Sequence, residues 1–143
     1  MSDFSLIERI PSVQEYYKLR KAVNWRVLDE ISTQKGLQNS LYCICVEKTN
    51  QIIGMARIIG DEGLVYYIQD VIVLPEVQKR GIGTMIMKKI MKFIEKNVPP
   101  LATIGLLASK NLEPFYEKFG FIKRPNEEFG SGMFTFWKYN FNS

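Results

Sequence analysis

The sequence predicts an α+β domain built on a central mixed, mostly antiparallel sheet flanked by helices. Three observations carry this. β-rich runs separated by short polar turns fill residues 41–74, a helical apolar period sets in at residue 82, and strand-like and helix-like segments alternate after it. The chain has 143 residues, 46% hydrophobic and 13% aromatic. That is material for one core, so a single domain over 1–143 is expected.

Phe4 to Ile10 reads as a first strand. Ser12 after Pro11 can cap a helix running to about Trp25, because Tyr16, Leu19 and Val23 share an apolar face. A weaker helix over Val27 to Lys35 is stopped by Gly36. Leu41 to Glu47 and Ile52 to Ile59 form a hairpin across Lys48-Thr49-Asn50-Gln51, and Gly60-Asp61-Glu62-Gly63 turns the chain into a third run, Leu64 to Leu74, ended by Pro75. The period then changes. Ile82, Met85, Ile86, Ile90, Phe93 and Ile94 recur at helical spacing with Lys88, Lys89, Lys92, Glu95 and Lys96 on the other face, until Pro99-Pro100. Leu101 to Leu107 reads as a strand, Leu112 to Lys118 as a short helix, and Met133 to Tyr139 as a closing strand.

Composition narrows the function classes. Met1-Ser2-Asp3-Phe4-Ser5 lacks the basic start and apolar run of a leader, and no segment approaches the roughly 20 apolar residues of a membrane span, so a cytoplasmic protein without a membrane partner is expected. The chain has no histidine and only Cys43 and Cys45, too few ligands for a metal site. Their alternate spacing points both thiols to one face of a strand, poorly placed for a disulfide and suited to the core. The net charge of +4 comes with basic residues clustered at Lys79, Arg80, Lys88, Lys89, Lys92 and Lys96, without interleaved aromatics that would stack on bases, so no nucleic-acid partner is expected. A homodimer is left open.

Gln78-Lys79-Arg80-Gly81-Ile82-Gly83-Thr84 lies between a strand end and the start of the amphipathic helix. The first turn of a helix carries unpaired amides and the positive end of the dipole, Gly81 and Gly83 allow close approach, and Lys79 and Arg80 add charge, so the junction suits a phosphate. A P-loop would require Lys before Thr84, and a dinucleotide fold a third glycine after a parallel strand; both fail on spacing.

The loop resembles the acetyl-coenzyme A loop, Gln/Arg-x-x-Gly-x-Gly/Ala, of the GCN5-related N-acetyltransferase (GNAT) superfamily. Asp70-Val71-Ile72-Val73-Leu74-Pro75 before it and Asn111-Leu112-Glu113-Pro114-Phe115-Tyr116-Glu117-Lys118-Phe119-Gly120-Phe121 after it extend the resemblance over positions 65 to 122. The resemblance implies a GNAT fold, acetyl-CoA as co-substrate without a metal, and transfer to a primary amine, small-molecule or peptide, in a ternary complex. It implies that Val71, Ile72 and Val73 hold the pantetheine arm and thioester carbonyl through their backbone, that Gln78, Lys79, Arg80, Gly81, Ile82, Gly83 and Thr84 hold the pyrophosphate, and that Asn111 reaches the pantetheine beside Phe115. Tyr116 matches the tyrosine that protonates the departing thiolate.

The attacking amine must lose a proton, since an alkyl amine has a pKa near 10. Where family members carry a glutamate or histidine base, this chain has Tyr67 and Gln69, so a water held by either is the economical route. Strand alternation sends the nearest carboxylate, Asp70, to the opposite face unless a bulge re-aims it. Trp25, Arg26, Asp29 and Glu30, with the late loop 126–133, fall where the acceptor is selected; acidic residues there would favour a cationic amine. A non-catalytic acyl-CoA binding or sensing module is the rival reading, and a DNA-binding domain a distant third.

Overall fold

The computed structural model describes residues 3–140; Met1 and Ser2, part of the leader argument, lie outside them. The chain forms two compact units, Met1–Leu106 and Leu107–Ser143.

The first unit is a five-stranded sheet in the order β1-β2-β3-β4-β5 with three helices. Strands β1 (Phe4–Glu8), β2 (Tyr42–Lys48), β3 (Gln51–Gly60) and β4 (Val65–Val73) pair antiparallel in sequence order, and β5 (Thr103–Gly105) pairs parallel to β4. Each turn rests on a local cause. Thr49 and Asn50 take left-handed φ values of 51° and 60° between β2 and β3. Asp61 Oδ1 accepts from the amides of Gly63, Leu64 and Val65 between β3 and β4.

Helix α1 (Val13–Ala22) starts on the predicted cap: Ser12 accepts from the Glu15 amide and Glu15 from the Ser12 amide, a closed capping box. Arg9 fastens this start to the sheet through Glu15 at 2.8 Å and Glu47 at 2.8 Å. It holds the Glu15 carboxyl down at about 2, the largest cause being the Arg9 hydrogen bond. Helix α2 runs Glu30–Gln38, later than the sequence suggests, because Asp29 caps it and Gly36 is accommodated inside its last turn. Helix α3 (Ile82–Asn97) buries Ile82, Ile86, Ile90 and Ile94 of the predicted stripe together with Met87, whereas Met85, expected in the stripe, is 37% exposed, because Met87 and not Met85 falls on the row that runs through Ile90 and Ile94.

Ile44, Cys45 and Val46 are consecutive and wholly buried, so the sheet is covered on both faces. A Cβ on Gly54 would meet Ile86 of α3 at 3.4 Å, whereas Arg57, of opposite parity, reaches the Gly36 carbonyl of α2. Helix α3 therefore covers one face, and α1 and α2 the other. On that second face Asp70 is 3% exposed. It accepts from Tyr16 at 2.7 Å and Arg20 at 2.6 Å, both on α1, and from Arg57 of β3 at 2.8 Å.

In the second unit α4 (Glu113–Glu117) is followed by chain without strands. The expected strand over Met133 to Tyr139 is absent: residues 131–140 are exposed and pair with no strand among the described residues. Aromatic alternation makes a segment competent for a sheet, but a strand exists only where a ladder partner takes its amides and carbonyls. The rings instead pack locally, Phe134 on Phe136 and Phe136 on Tyr139.

Asp70→Asn keeps the shape, and asparagine tolerates the left-handed φ of 59° found here, so the variant isolates the charge. Two arginines then lack a counter-ion, and chemical denaturation is expected to show a loss of about 3–5 kcal/mol. A loss under about 1 kcal/mol would mean that solvent already screens the cluster.

Candidate functional site

The loop and strand end singled out by sequence all lie in the first unit. Pro75–Val77 forms one 3₁₀ turn after β4, and Gln78, Lys79 and Arg80 follow it, exposed. Gln78 Nε2 donates to the Val73 carbonyl at 2.9 Å, tying the loop to the strand it leaves. Lys79 and Gly81 adopt left-handed φ values of 65° and 81°, and Gly81 is the N-cap of α3. A glycine cap has no side chain to close the helix, and among the described residues no side-chain cap bond is made. The first intrahelical bond, Met85 amide to Gly81 carbonyl, leaves the amides of Ile82, Gly83 and Thr84 without i−4 partners. A Cβ at Gly81 would find nothing within 4 Å, so the approach is open. No acidic residue sits in the first turn, and Ile82 is buried, which fixes the axis against the core. The junction is thus an open, uncapped helix start flanked by Lys79 and Arg80, fitted to an anion.

Val71, Ile72 and Val73 end β4 just before this loop. Strand β4 has a bulge where Asp70 and Val71 stand against Ala56 alone: Met55 pairs Ile72 and Arg57 pairs Gln69. Strand β5 pairs only Val65 to Tyr67, so beyond Tyr67 the β5 side of β4 has no strand partner among the described residues.

The bulge does not turn Asp70 into a base. Its oxygens receive Tyr16, Arg20 and Arg57, with Gln69 at 3.4 Å, so no acceptor site is left for a substrate proton. Burial, followed by the neighbouring Asp70 charge, pushes the Tyr16 hydroxyl up to about 12, which keeps its proton on the hydrogen bond.

The same cluster forms the floor of a cavity of about 280 Å³ between α1, α2 and the sheet, lined by Tyr16, Arg20, Leu28, Ser32, Thr33, Gly36, Leu37, Arg57 and Gln69. Gln69, one of the two positions matched to the family's base, therefore faces it. Of the acidic residues expected to select an acceptor, Asp29 is spent on the Ser32 amide at 2.9 Å, and Glu30 is exposed. Trp25 stacks under the Arg20 guanidinium at 5.3 Å. Arg20, Arg57 and Tyr16 were not candidate site residues in the sequence, since their shared partner lies 50, 13 and 54 positions away.

The remaining candidates belong to the second unit. Asn111, with φ 72°, lies exposed in the turn before α4. Phe115 packs edge-on to Tyr116 and Phe119 with centroids 5.0 and 5.5 Å away. Tyr116 is 7% exposed, and burial pushes its phenol up to about 12. The late loop is closed on itself: Asn126 Oδ1 accepts from the Glu128 and Phe129 amides, and Arg124 donates to the Gly130 carbonyl.

Fold and site define a class, an acyltransferase-like mixed sheet with an anion-binding helix start, and comparison with known proteins makes it specific. The family model for the acetyltransferase (GNAT) domain matches residues 13–142. The uncharacterized N-acetyltransferase ycf52 of Porphyra purpurea is 32% identical over 129 residues, 87% of this chain and 72% of the relative. GCN5-related N-acetyltransferase 3, chloroplastic, of Arabidopsis thaliana is 31% identical over 62% of this chain and 35% of its own length. A probable acetyltransferase, SA2161 of methicillin-resistant Staphylococcus aureus, superposes with a TM-score of 0.85 at 31% identity, covering 94% of this chain and 99% of that one. The chain belongs to the GNAT superfamily and is an N-acetyltransferase by family and fold. No helix among the described residues is long and apolar enough to cross a membrane.

Cys43 and Cys45 point to one face of β2, opposite Arg57 and Met55, and both are buried. Burial raises both thiols, Cys45 to about 12, which leaves them protonated and weakly nucleophilic. Replacing both with alanine is expected to lower stability by about 1–3 kcal/mol while acetyl transfer persists. Loss of transfer in a folded double variant, seen together with acetylation of the native thiols by mass spectrometry, would put an acyl-cysteine in the mechanism.

Proposed function

We propose that the protein transfers the acetyl group of acetyl-CoA to a primary amine by direct attack in a ternary complex. The observation that carries this is the uncapped start of α3 in a chain of this family: three free-facing amides, a left-handed glycine and two flanking cations at the end of a bulged strand. These features fit a pyrophosphate. Lys79, Arg80 and the amides of Ile82 to Thr84 would hold it, with Gly81 and Gly83 giving room. The β4 backbone at Val71 to Val73, beyond the reach of β5, suits the pantetheine arm, with Asn111 and Phe115 assigned to the same arm from their motif.

Acetyl-CoA brings the acyl group already activated as a thioester, so the protein's own work is orientation and proton movement. Gln69, on the cavity wall, and Tyr67 would hold the water that takes the amine proton. Tyr116 would donate its phenolic proton to the departing thiolate sulfur. Its raised pKa bears on that role by sign: a phenol held near 12 is the protonated, donating form throughout the neutral range.

Gly83→Val puts a branched side chain beside the open amides of the helix start. Calorimetry is expected to show acetyl-CoA affinity reduced by about tenfold or more with an unchanged fold by circular dichroism. Unaltered affinity would remove the pyrophosphate assignment. Tight binding of acetyl-CoA to the native protein without thiol release across an amine screen would favour an acyl-CoA sensing module.

Tyr116→Phe keeps the ring and removes the hydroxyl, and turnover is expected to fall by about 10²- to 10⁴-fold. Because the phenol is shifted upward, its ionisation should depress the native rate only as pH approaches about 12. A descending limb nearer 10 that survives in the variant belongs to another group. Turnover close to native in the variant would show that the thiolate leaves unaided.

A further inference from the structure

We infer that the cavity beneath α1 and α2 recognises an anionic group, carboxylate or phosphate, on the acceptor amine; this rests on the acetyl-transfer reading of the same site. A charge count in a confined space carries the inference. Arg20 and Arg57 both line the cavity, with side chains 12% and 13% exposed. One buried carboxylate, Asp70, answers both. Two cations against one anion leave a net formal charge of +1 on this wall, and arginine does not titrate away.

The forks are also incompletely used. Arg20 bonds through Nε to the Arg26 carbonyl and through Nη1 to Asp70; Arg57 bonds through Nε to Asp70 and through Nη1 to Gly36 and Ser40. The Nη2 group of each makes no hydrogen bond among the described residues. No buried side-chain nitrogen or oxygen among them lacks a partner, so these two donors are open to solvent on residues that line the cavity. The other polar groups supply no opposing charge. The Tyr16 hydroxyl donates to Asp70 and the Thr33 hydroxyl to the Asp29 carbonyl, while Ser32 and Gln69 are uncharged. No carboxylate lines the space.

A purely cationic amine would meet this wall as a like charge. An acceptor carrying a carboxylate or phosphate would take charge-assisted hydrogen bonds from the two guanidinium edges, in a site where Asp70 holds their planes. This is the opposite of the preference for a cationic amine expected from acidic residues in the sequence. A volume of about 280 Å³ suits a small acceptor.

Matched acceptors test this: β-alanine against β-alaninamide, and 2-aminoethyl phosphate against ethanolamine, with thiol release as the readout at low salt. The anionic member of at least one pair is expected to show a kcat/KM about tenfold higher or more, the scale of one charge-assisted bond. The two pairs separate a carboxylate from a phosphate site. N-acetyl-β-alanine and its amide, titrated by NMR against the whole protein, read the cavity without turnover; the acid should bind tighter by a similar factor. Ser32→Asp places a carboxylate on the wall without touching the arginine contacts and should erase the preference in both measurements. Equal or better performance of the uncharged members, or a preference unmoved by Ser32→Asp, would overturn the inference. Acetyl-CoA affinity, measured separately by calorimetry, reports on the underlying acetyl-transfer reading: its absence sinks that reading, while the NMR titration still judges the cavity.

Discussion

The buried carboxylate of Asp70 is the point on which the first unit turns. It is the one charged residue of the described chain that is buried as a whole, and it draws α1, β3 and β4 to a common centre through Arg20, Arg57 and Tyr16. A buried carboxylate is tolerable only with its charge and lone pairs answered, so its presence dictates the positions of three other side chains. It also marks the bulge in β4, where the backbone takes a left-handed turn that aspartate accepts more readily than most residues. The strand bends there, and its last residues carry the chain into the loop that opens α3.

One ion cluster thereby serves two surfaces. Towards the core it replaces apolar contacts with directional ones, which fix where α1 lies over the sheet rather than merely that it lies there. Towards solvent it forms the floor of the cavity. The helix start on the other side of the bulge owes its openness to a different cause, the lack of any capping side chain at Gly81. Ile82, buried 2% exposed beside it, keeps that flexible-looking glycine loop anchored. Rigidity at Ile82 and vacancy at Gly81 are adjacent in sequence, the combination that the proposed anion site requires.

Most of this fold was legible because its determinants are local. The stripe of α3 and the turns at Thr49-Asn50 and Asp61 are decided within a few residues; the turns are found as expected, and the stripe with Met87 buried in place of Met85. Three features were not legible for the opposite reason. Met133 to Tyr139 has the composition of a strand but no ladder partner among the described residues, and pairing is a property of two segments. Leu101 to Leu107 shrinks to Thr103–Gly105 because it finds pairing partners only at Val65 to Tyr67 of β4. The arginines of the cavity are ordinary helix and strand residues until Asp70 gathers them from 50 and 13 positions away. The alternation rule sends Asp70 to the face opposite Gln69 unless a bulge re-aims it, and the bulge does so: Asp70 meets Arg57 and Gln69 on one face of the sheet. What the rule could not supply was the reason for a carboxylate on the buried face.

The absence of a strong base at Tyr67 and Gln69 then looks less like a defect than a consequence of what lines the cavity. A general base is needed in proportion to how firmly the acceptor holds its proton. The wall with a net formal charge of +1 disfavours an ammonium that stands beside it alone, but an acceptor whose own anion answers that charge keeps its proton about as firmly as in water and has to give it to solvent. A carboxylate in place of Gln69, 3.4 Å from Asp70, would cancel the charge that receives the acceptor's anion and add a second anion beside one already buried. An uncharged side chain that can orient a water leaves the cationic wall intact. In the proposed reaction, proton loss thus falls to a positioned solvent molecule, with Asp70 contributing only through the arginines it holds.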